Sequence, residues 1–147
     1  MVGHSFGGRL SLGVAVARPD QVDKLVLADA AGLGKVSKLA GVMFTAFYRA
    51  RSLLGRSHPH PTFLARDGDD PDWACVEDLP KIQSPTLIVW KQRDPYVPVA
   101  NAHRAVTLIP DARLELLPGI GHAPHLSNAD AFNRLVGEFL GNVSAGA

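Results

Sequence analysis

Cysteine is almost missing: among 147 residues there is one, Cys75. An internal disulfide is thereby excluded, and a single sulfur without neighbouring ligands makes no zinc site. A lone cysteine suits a reducing compartment, so a cytoplasmic location is expected, with Cys75 read as a small buried hydrophobe. Charge of one sign is lacking too. A formal charge of +1 without any dense basic run excludes the electrostatic footprint of a nucleic-acid binder. No apolar run approaches the roughly 18 residues that a membrane span needs. Arg9 followed by Leu10 to Val16 and Ala17 imitates a secretory apolar segment with its cleavage site, but a true one would carry its positive charge within residues 1 to 8, and those hold only His4. There is no internal repeat. His58 and His60 share a Pro-rich loop, cannot ligate from one helix face and have no third ligand, so no metal and no cofactor is expected. What remains, 46% hydrophobic and 20% charged, is the composition of one globular domain spanning residues 1–147.

The most informative stretch is Gly3-His4-Ser5-Phe6-Gly7-Gly8, which has the G-x-S-x-G pattern of a nucleophile elbow. In such an elbow a serine occupies a sharp strand-to-helix turn, and the glycines two before and two after it are expected to remove Cβ atoms that would block the turn. The segment from Arg9 to Ala17 can be the helix that follows, ended by Arg18-Pro19-Asp20.

The rest of the chain alternates strand and helix signals. Met1-Val2 is a short remnant of a strand, where about five residues are usual. Lys24 to Asp29 reads as a buried parallel strand, so strand, helix and strand make a βαβ unit. Between Lys35 and Leu54, Leu39, Val42, Met43, Ala46, Phe47, Ala50, Leu53 and Leu54 recur at helical spacing, and this stripe is expected to pack on the core or as a lid. A polar loop follows, through His58-Pro59-His60-Pro61 and Asp67 to Pro71. Pro85 to Trp90 is a second strand, with Asp94 just past its carboxyl end, the face on which parallel sheets place their sites. Ala100 to Leu108 can form a helix and Arg113 to Leu117 a strand. The loop Pro118 to Pro124 carries His122. Ser127 to Asp130 resembles a capping box that opens a last helix with the stripe Ala131, Phe132, Leu135, Val136, Phe139 and Leu140.

Elbow serine, an aspartate in the context Pro85-Thr86-Leu87-Ile88-Val89-Trp90 to Asp94-Pro95-Tyr96-Val97-Pro98, and Gly121-His122-Ala123-Pro124 before a final helix together resemble the α/β-hydrolase superfamily. The order Ser, Asp, His is the one that this fold uses. The resemblance implies an α/β fold of parallel strands with flanking helices, corresponding to the C-terminal part of that fold, with its N-terminal strands absent and residues 32–80 forming a short helical cap insertion. It also implies roles. Ser5 is the nucleophile, His122 the base that takes its proton, and Asp94 the acid that orients the imidazole; the backbone N–H of Phe6 donates to the oxyanion. Asp29 is the alternative acid and His125 the rival base, both less favoured by context. His4 is read as packing the elbow. Lys91 departs from the pattern, since many relatives have glycine there. The Lys24 to Gly34 stretch is similar to carbon-carbon bond hydrolases of aromatic-ring breakdown and to carboxylesterases. A serine hydrolase acting on a small ester or related carbonyl substrate through an acyl-enzyme is therefore expected. The alternative is a truncated, non-catalytic chain or a module completed by a partner. With Met1-Val2 too short for a full strand, the strand at Lys24 to Asp29 is expected to leave a sheet edge open to self-association.

Overall fold

The computed structural model describes residues 1–55 and 75–141. Four strands, β1 (Val2–His4), β2 (Leu25–Ala28), β3 (Thr86–Arg93) and β4 (Ala112–Ile120), form one sheet in the order β1-β2-β3-β4. Every neighbouring pair is parallel. Helix α1 (Phe6–Ala17) joins β1 to β2, and α3 (Val99–Leu108) joins β3 to β4. Between β2 and β3 the chain forms α2 (Lys38–Leu53) and a 3-10 helix at Val76–Lys81. A single turn, α4 (Pro124–Ser127), precedes the last helix, α5 (Ala129–Leu140).

Strand periodicity sorts the core into two layers. Leu25 and Leu27 of β2, with Ile88 and Trp90 of β3, pack with Leu12 and Ala15 of α1 and Ala102 and Ala105 of α3. Their alternate neighbours Val26, Ala28, Leu87 and Val89 meet Phe132 of α5 on the other face. Both faces of β2 and β3 are covered, which is why these strands read as unbroken apolar runs rather than alternating ones. Cys75 lies buried in the first layer.

The segment after β2, which buries Ala30, Ala31 and Leu33, is anchored by hydrogen bonds rather than by strand pairing. Arg104 of α3 donates to the carbonyl oxygen of Leu33 at 2.8 Å and Asn101 to that of Lys35 at 3.0 Å. The Ser37 hydroxyl caps α2 by accepting from the Ala40 N–H at 3.1 Å. It also donates to the Pro95 carbonyl oxygen at 2.5 Å, so the start of α2 is tied to the turn that follows β3.

Three expectations need correction. Of the two expectations for the α2 stripe, core or lid, the core one fails: Leu39, Val42, Met43, Phe47, Leu53 and Leu54 are exposed among the described residues, and Ala40 is the buried one. Asn128 precedes α5 but makes no capping bond; its side chain serves a tertiary contact, and Ser127 Oγ donates to the Ala123 carbonyl oxygen at 3.1 Å, so the capping-box reading fails. Strand β4 runs on through Pro118 and Gly119 to Ile120, beyond the expected Leu117. Much of the expected 32–80 insertion, including His58, His60 and the Asp67 to Pro71 loop, lies outside the described residues. Among those described, no helix is long and apolar enough to cross a membrane.

Candidate active site

The carboxyl ends of β1 and β2 lie in register, Ala28 being paired with His4 and, on its other side, with Val89 of β3, which runs on in the same direction to Arg93. The residues that leave these strands therefore meet along one edge of the sheet. Ser5 follows β1 with φ 51° and ψ −121°, a conformation that costs free energy for a residue with a Cβ. The neighbours hold it there. The Ser5 N–H donates to the Ala28 carbonyl oxygen at 3.1 Å, and its own carbonyl oxygen accepts from Gly8 at 3.0 Å and Ala31 at 2.9 Å.

The glycines around Ser5 do not divide the work as the motif suggests. A Cβ on Gly3 would lie 2.5 Å from Ser11 Oγ and 2.7 Å from the Gly7 carbonyl oxygen, so that position requires glycine. A Cβ on Gly7 would meet nothing within 4 Å, whereas one on Gly8 would lie 2.4 Å from the Ala30 Cβ. Gly3 and Gly8 are thus the close-approach glycines, and Gly8 is what lets α1 lean on the segment after β2.

Asp94 is held by its own turn. Its Oδ1 accepts from the N–H groups of Tyr96 at 2.7 Å and Val97 at 3.1 Å. The buried Trp90 secures that turn from below by donating its indole N–H to the Val97 carbonyl oxygen at 3.1 Å. On the neighbouring strand β4 an extra residue stands between Leu117 and Ile120, the partners of Lys91 and Arg93, and Gly121 donates its N–H to the Arg93 carbonyl oxygen at 3.2 Å. Bulges of this kind re-aim the following side chain. Here that side chain is His122. Its Nδ1 lies 2.7 Å from Asp94 Oδ2 and its Nε2 2.8 Å from Ser5 Oγ. An ionised carboxylate can only accept, so Nδ1 carries the proton and Nε2 is left to accept from the Ser5 hydroxyl.

The other histidines take supporting places. His4 Nε2 donates to the His122 carbonyl oxygen at 2.5 Å, and its ring packs against those of His122 and His125. Burial is the main cause that lowers the His4 pKa, so it tends to stay neutral. The His125 ring lies against His4 and Phe132. Phe6 is the first residue of α1, which places its N–H at the positive end of the helix.

Two residues gain importance from the structure. Lys91 is buried, and its ammonium donates to the Pro118 carbonyl oxygen at 2.5 Å and to Asn128 Oδ1. The sequence marks it only as a charged side chain where glycine is common. Asp29, directly after β2, is fully buried with φ 39°, and its Oδ1 accepts the Lys91 N–H at 2.8 Å. Burial is the principal cause that raises its pKa to about 7, with the nearby Asp94 adding to it and the Lys91 N–H opposing it. A carboxylate oxygen of Asp29, a ring nitrogen of His4 and one of His122 lie within 4.8 Å of one another. An ion shared by these three would compete with bonds already made, since both His122 nitrogens and His4 Nε2 are engaged.

A family described as "Alpha/beta hydrolase family" matches residues 1–135. The chain belongs to the alpha/beta hydrolase family. It is 39% identical over 70 residues to a 2-hydroxy-6-oxo-6-phenylhexa-2,4-dienoate hydrolase of Burkholderia cepacia, an alignment covering 48% of this chain and 24% of that protein. It is 27% identical over 180 residues to a 2-hydroxy-6-oxononadienedioate/2-hydroxy-6-oxononatrienedioate hydrolase of Cupriavidus pinatubonensis, covering 97% of this chain and 62% of that protein. Among solved structures, an alpha/beta hydrolase enzyme from the metagenome of lagoon sediments of Mar Chica, Morocco, superposes with a TM-score of 0.72 at 26% identity, covering 96% of this chain and 60% of that one. The chain thus spans less than two thirds of the length of these alpha/beta hydrolases.

Proposed function

We propose that the chain bears the working site of a serine hydrolase that acts on an ester or related carbonyl compound through an acyl-enzyme. The observation that carries this reading is the placement of one imidazole, His122, in hydrogen-bond contact with both Ser5 and Asp94. Ser5 Oγ attacks the acyl carbon as its proton passes to His122 Nε2. Asp94 holds Nδ1–H and balances the imidazolium charge, and His122 then returns the proton to the leaving group. Water repeats the sequence on the acyl-enzyme. The N–H of Phe6 donates to the developing oxyanion, where the field of α1 favours negative charge.

The relatives are named for hydroxy-oxo-dienoates, compounds that carry a ketone, so carbon-carbon bond hydrolysis stands beside ester hydrolysis as a candidate for this site. A fluorophosphonate probe is expected to label Ser5, and Ser5→Ala to abolish labelling; persistent labelling of that variant would remove Ser5 as the nucleophile. Turnover of p-nitrophenyl acetate against a 2-hydroxy-6-oxo-dienoate then separates the two substrate classes. A second reading, a module completed by another polypeptide, draws on β1, whose outer side has no strand neighbour among the described residues.

A further inference from the structure

Asp29 is a buried carboxyl that the Ser5, His122 and Asp94 scheme leaves without work. Its Oδ1 is pinned by the Lys91 N–H at 2.8 Å, while Oδ2 is buried with no hydrogen-bond partner among the described residues. Leaving a carboxylate oxygen unpaired in the interior is costly, and the one bond that is made, from the Lys91 N–H, needs only an acceptor oxygen, which asparagine also supplies at a left-handed φ without a charge. The position gives the reason for an acid. A carboxylate oxygen of Asp29 lies within 4.8 Å of a His122 ring nitrogen, and the groups that act on its charge are Asp94, His122 and Lys91, with His4 in the same cluster.

We propose that Asp29 is a second acid for His122, a positioning residue that shares with Asp94 the stabilisation of the imidazolium and takes over part of that task when Asp94 is removed. This rests on the reading of His122 as the base of Ser5. Two carboxyl groups near one imidazole resist ionising together, and burial with the neighbouring Asp94 makes Asp29 the harder to ionise, so that near neutral pH only part of it carries charge. The pKa of Asp29, raised to about 7, agrees with such a division. In the molecules in which Asp29 is already ionised before the reaction, its carboxylate faces the positive charge that forms when His122 accepts the Ser5 proton, and no further proton need move.

The experiment compares fluorophosphonate labelling rates of the full chain as wild type, Asp29→Asn, Asp94→Asn and the double variant. Asn at 29 keeps an acceptor for the Lys91 N–H, so the fold is expected to persist. Asp29→Asn alone should slow labelling by no more than about threefold, but by about tenfold or more in the Asp94→Asn background, because only there does the second acid carry the task. Residual labelling by Asp94→Asn should rise with pH through the ionisation of Asp29, a limb missing from the double variant. An equal loss in both backgrounds, or an unchanged pH limb in the double variant, would overturn the proposal. A second measurement does not need activity: the Asp29 carboxyl carbon resonance is followed against pH in wild type and in His122→Gln. Its midpoint should move upward when the imidazole is removed, and an unmoved midpoint overturns the coupling. If the wild type is not labelled at all, the nucleophile reading fails, and this titration still decides whether Asp29 answers to His122.

Discussion

The Lys91 ammonium, from the end of β3, donates to the Pro118 carbonyl oxygen at 2.5 Å and so holds the segment that leads to His122. A second bond, to Asn128 Oδ1 before α5, closes the other side of the same loop. The loop between these anchors carries His122 and is also tied to the strands by the Gly121 N–H on the Arg93 carbonyl oxygen and by His4 Nε2 on the His122 carbonyl oxygen. Lys91→Met keeps much of the side-chain volume and removes both bonds. A shift of His122 by as little as about 1 Å can cost on the order of 10²-fold, so labelling of Ser5 should slow by about 10- to 100-fold with far-UV circular dichroism unchanged. Unaltered labelling in Lys91→Met would mean that the loop holds its position without the clamp.

The elbow glycines give a sharper test. Gly7→Ala should be tolerated or stabilise the chain by roughly 0.5–1 kcal/mol, because the new methyl meets nothing and alanine suits a helix better. Gly8→Ala must displace Ala30, whose Cβ would be 2.4 Å away, and should lower the unfolding temperature markedly. Chemical denaturation of the two variants decides the matter; equal stabilities would contradict the packing of α1 on the residue 30 segment.

That reversal of roles shows where local sequence reading stops. The strands Leu25–Ala28 and Thr86–Arg93 are legible because burial on both faces leaves an apolar run that needs no tertiary knowledge. Ser5, Asp94 and His122 are legible because each stands in a short context of its own. Lys91 is not, since its acceptors Pro118 and Asn128 lie 27 and 37 residues away and become neighbours only once β4 has paired with β3. The Ser127 to Asp130 pattern misleads for the same reason: it is that of a capping box, yet Asn128 is the residue before the helix and a tertiary donor claims its oxygen. The α2 stripe has helical period, as expected, but periodicity reports the presence of a helix and not what covers its face.

Asp29 makes stability depend on pH in a definite direction. An unfolded aspartate titrates near ~3.9, whereas the folded Asp29 is raised to about 7. The folded state therefore holds a proton that the unfolded state has released over that interval, so this residue's contribution is fully present below about pH 4 and is lost as pH rises through 7. Asp29→Asn abolishes that titration. The variant's unfolding temperature should exceed that of the wild type by a larger margin at pH 8 than at pH 5, read by calorimetry. A margin independent of pH would show that Asp29 does not titrate in this range.

His122 and His125 are three positions apart and both contact the His4 ring, yet they differ in what they can do. Only His122 reaches Ser5 Oγ, at 2.8 Å. His122→Ala should lower the labelling rate by about 10²-fold or more, the typical worth of a general base, and His125→Ala far less. Comparable losses with intact folding would mean that the proton is taken by another route.

The outer side of β1 suggests how the chain behaves in solution. Strand β1 pairs with β2 alone among the described residues, and Val2 beside this edge is exposed, as are Phe6 and Leu10 of the adjoining α1. An unpaired strand edge flanked by apolar side chains is a template for another chain, and a charge placed on it disfavours such pairing. The wild-type chain should therefore show concentration-dependent association by sedimentation velocity, and Val2→Lys should shift it toward the monomer. Because Val2 is half exposed and outside both core layers, this substitution should leave the unfolding temperature nearly unchanged. A wild type that sediments as a monomer at every concentration would show that the edge is protected. Association undiminished in Val2→Lys would instead place the contact elsewhere, with the exposed residues of α2, Val42 and Leu53 foremost, as the next face to charge.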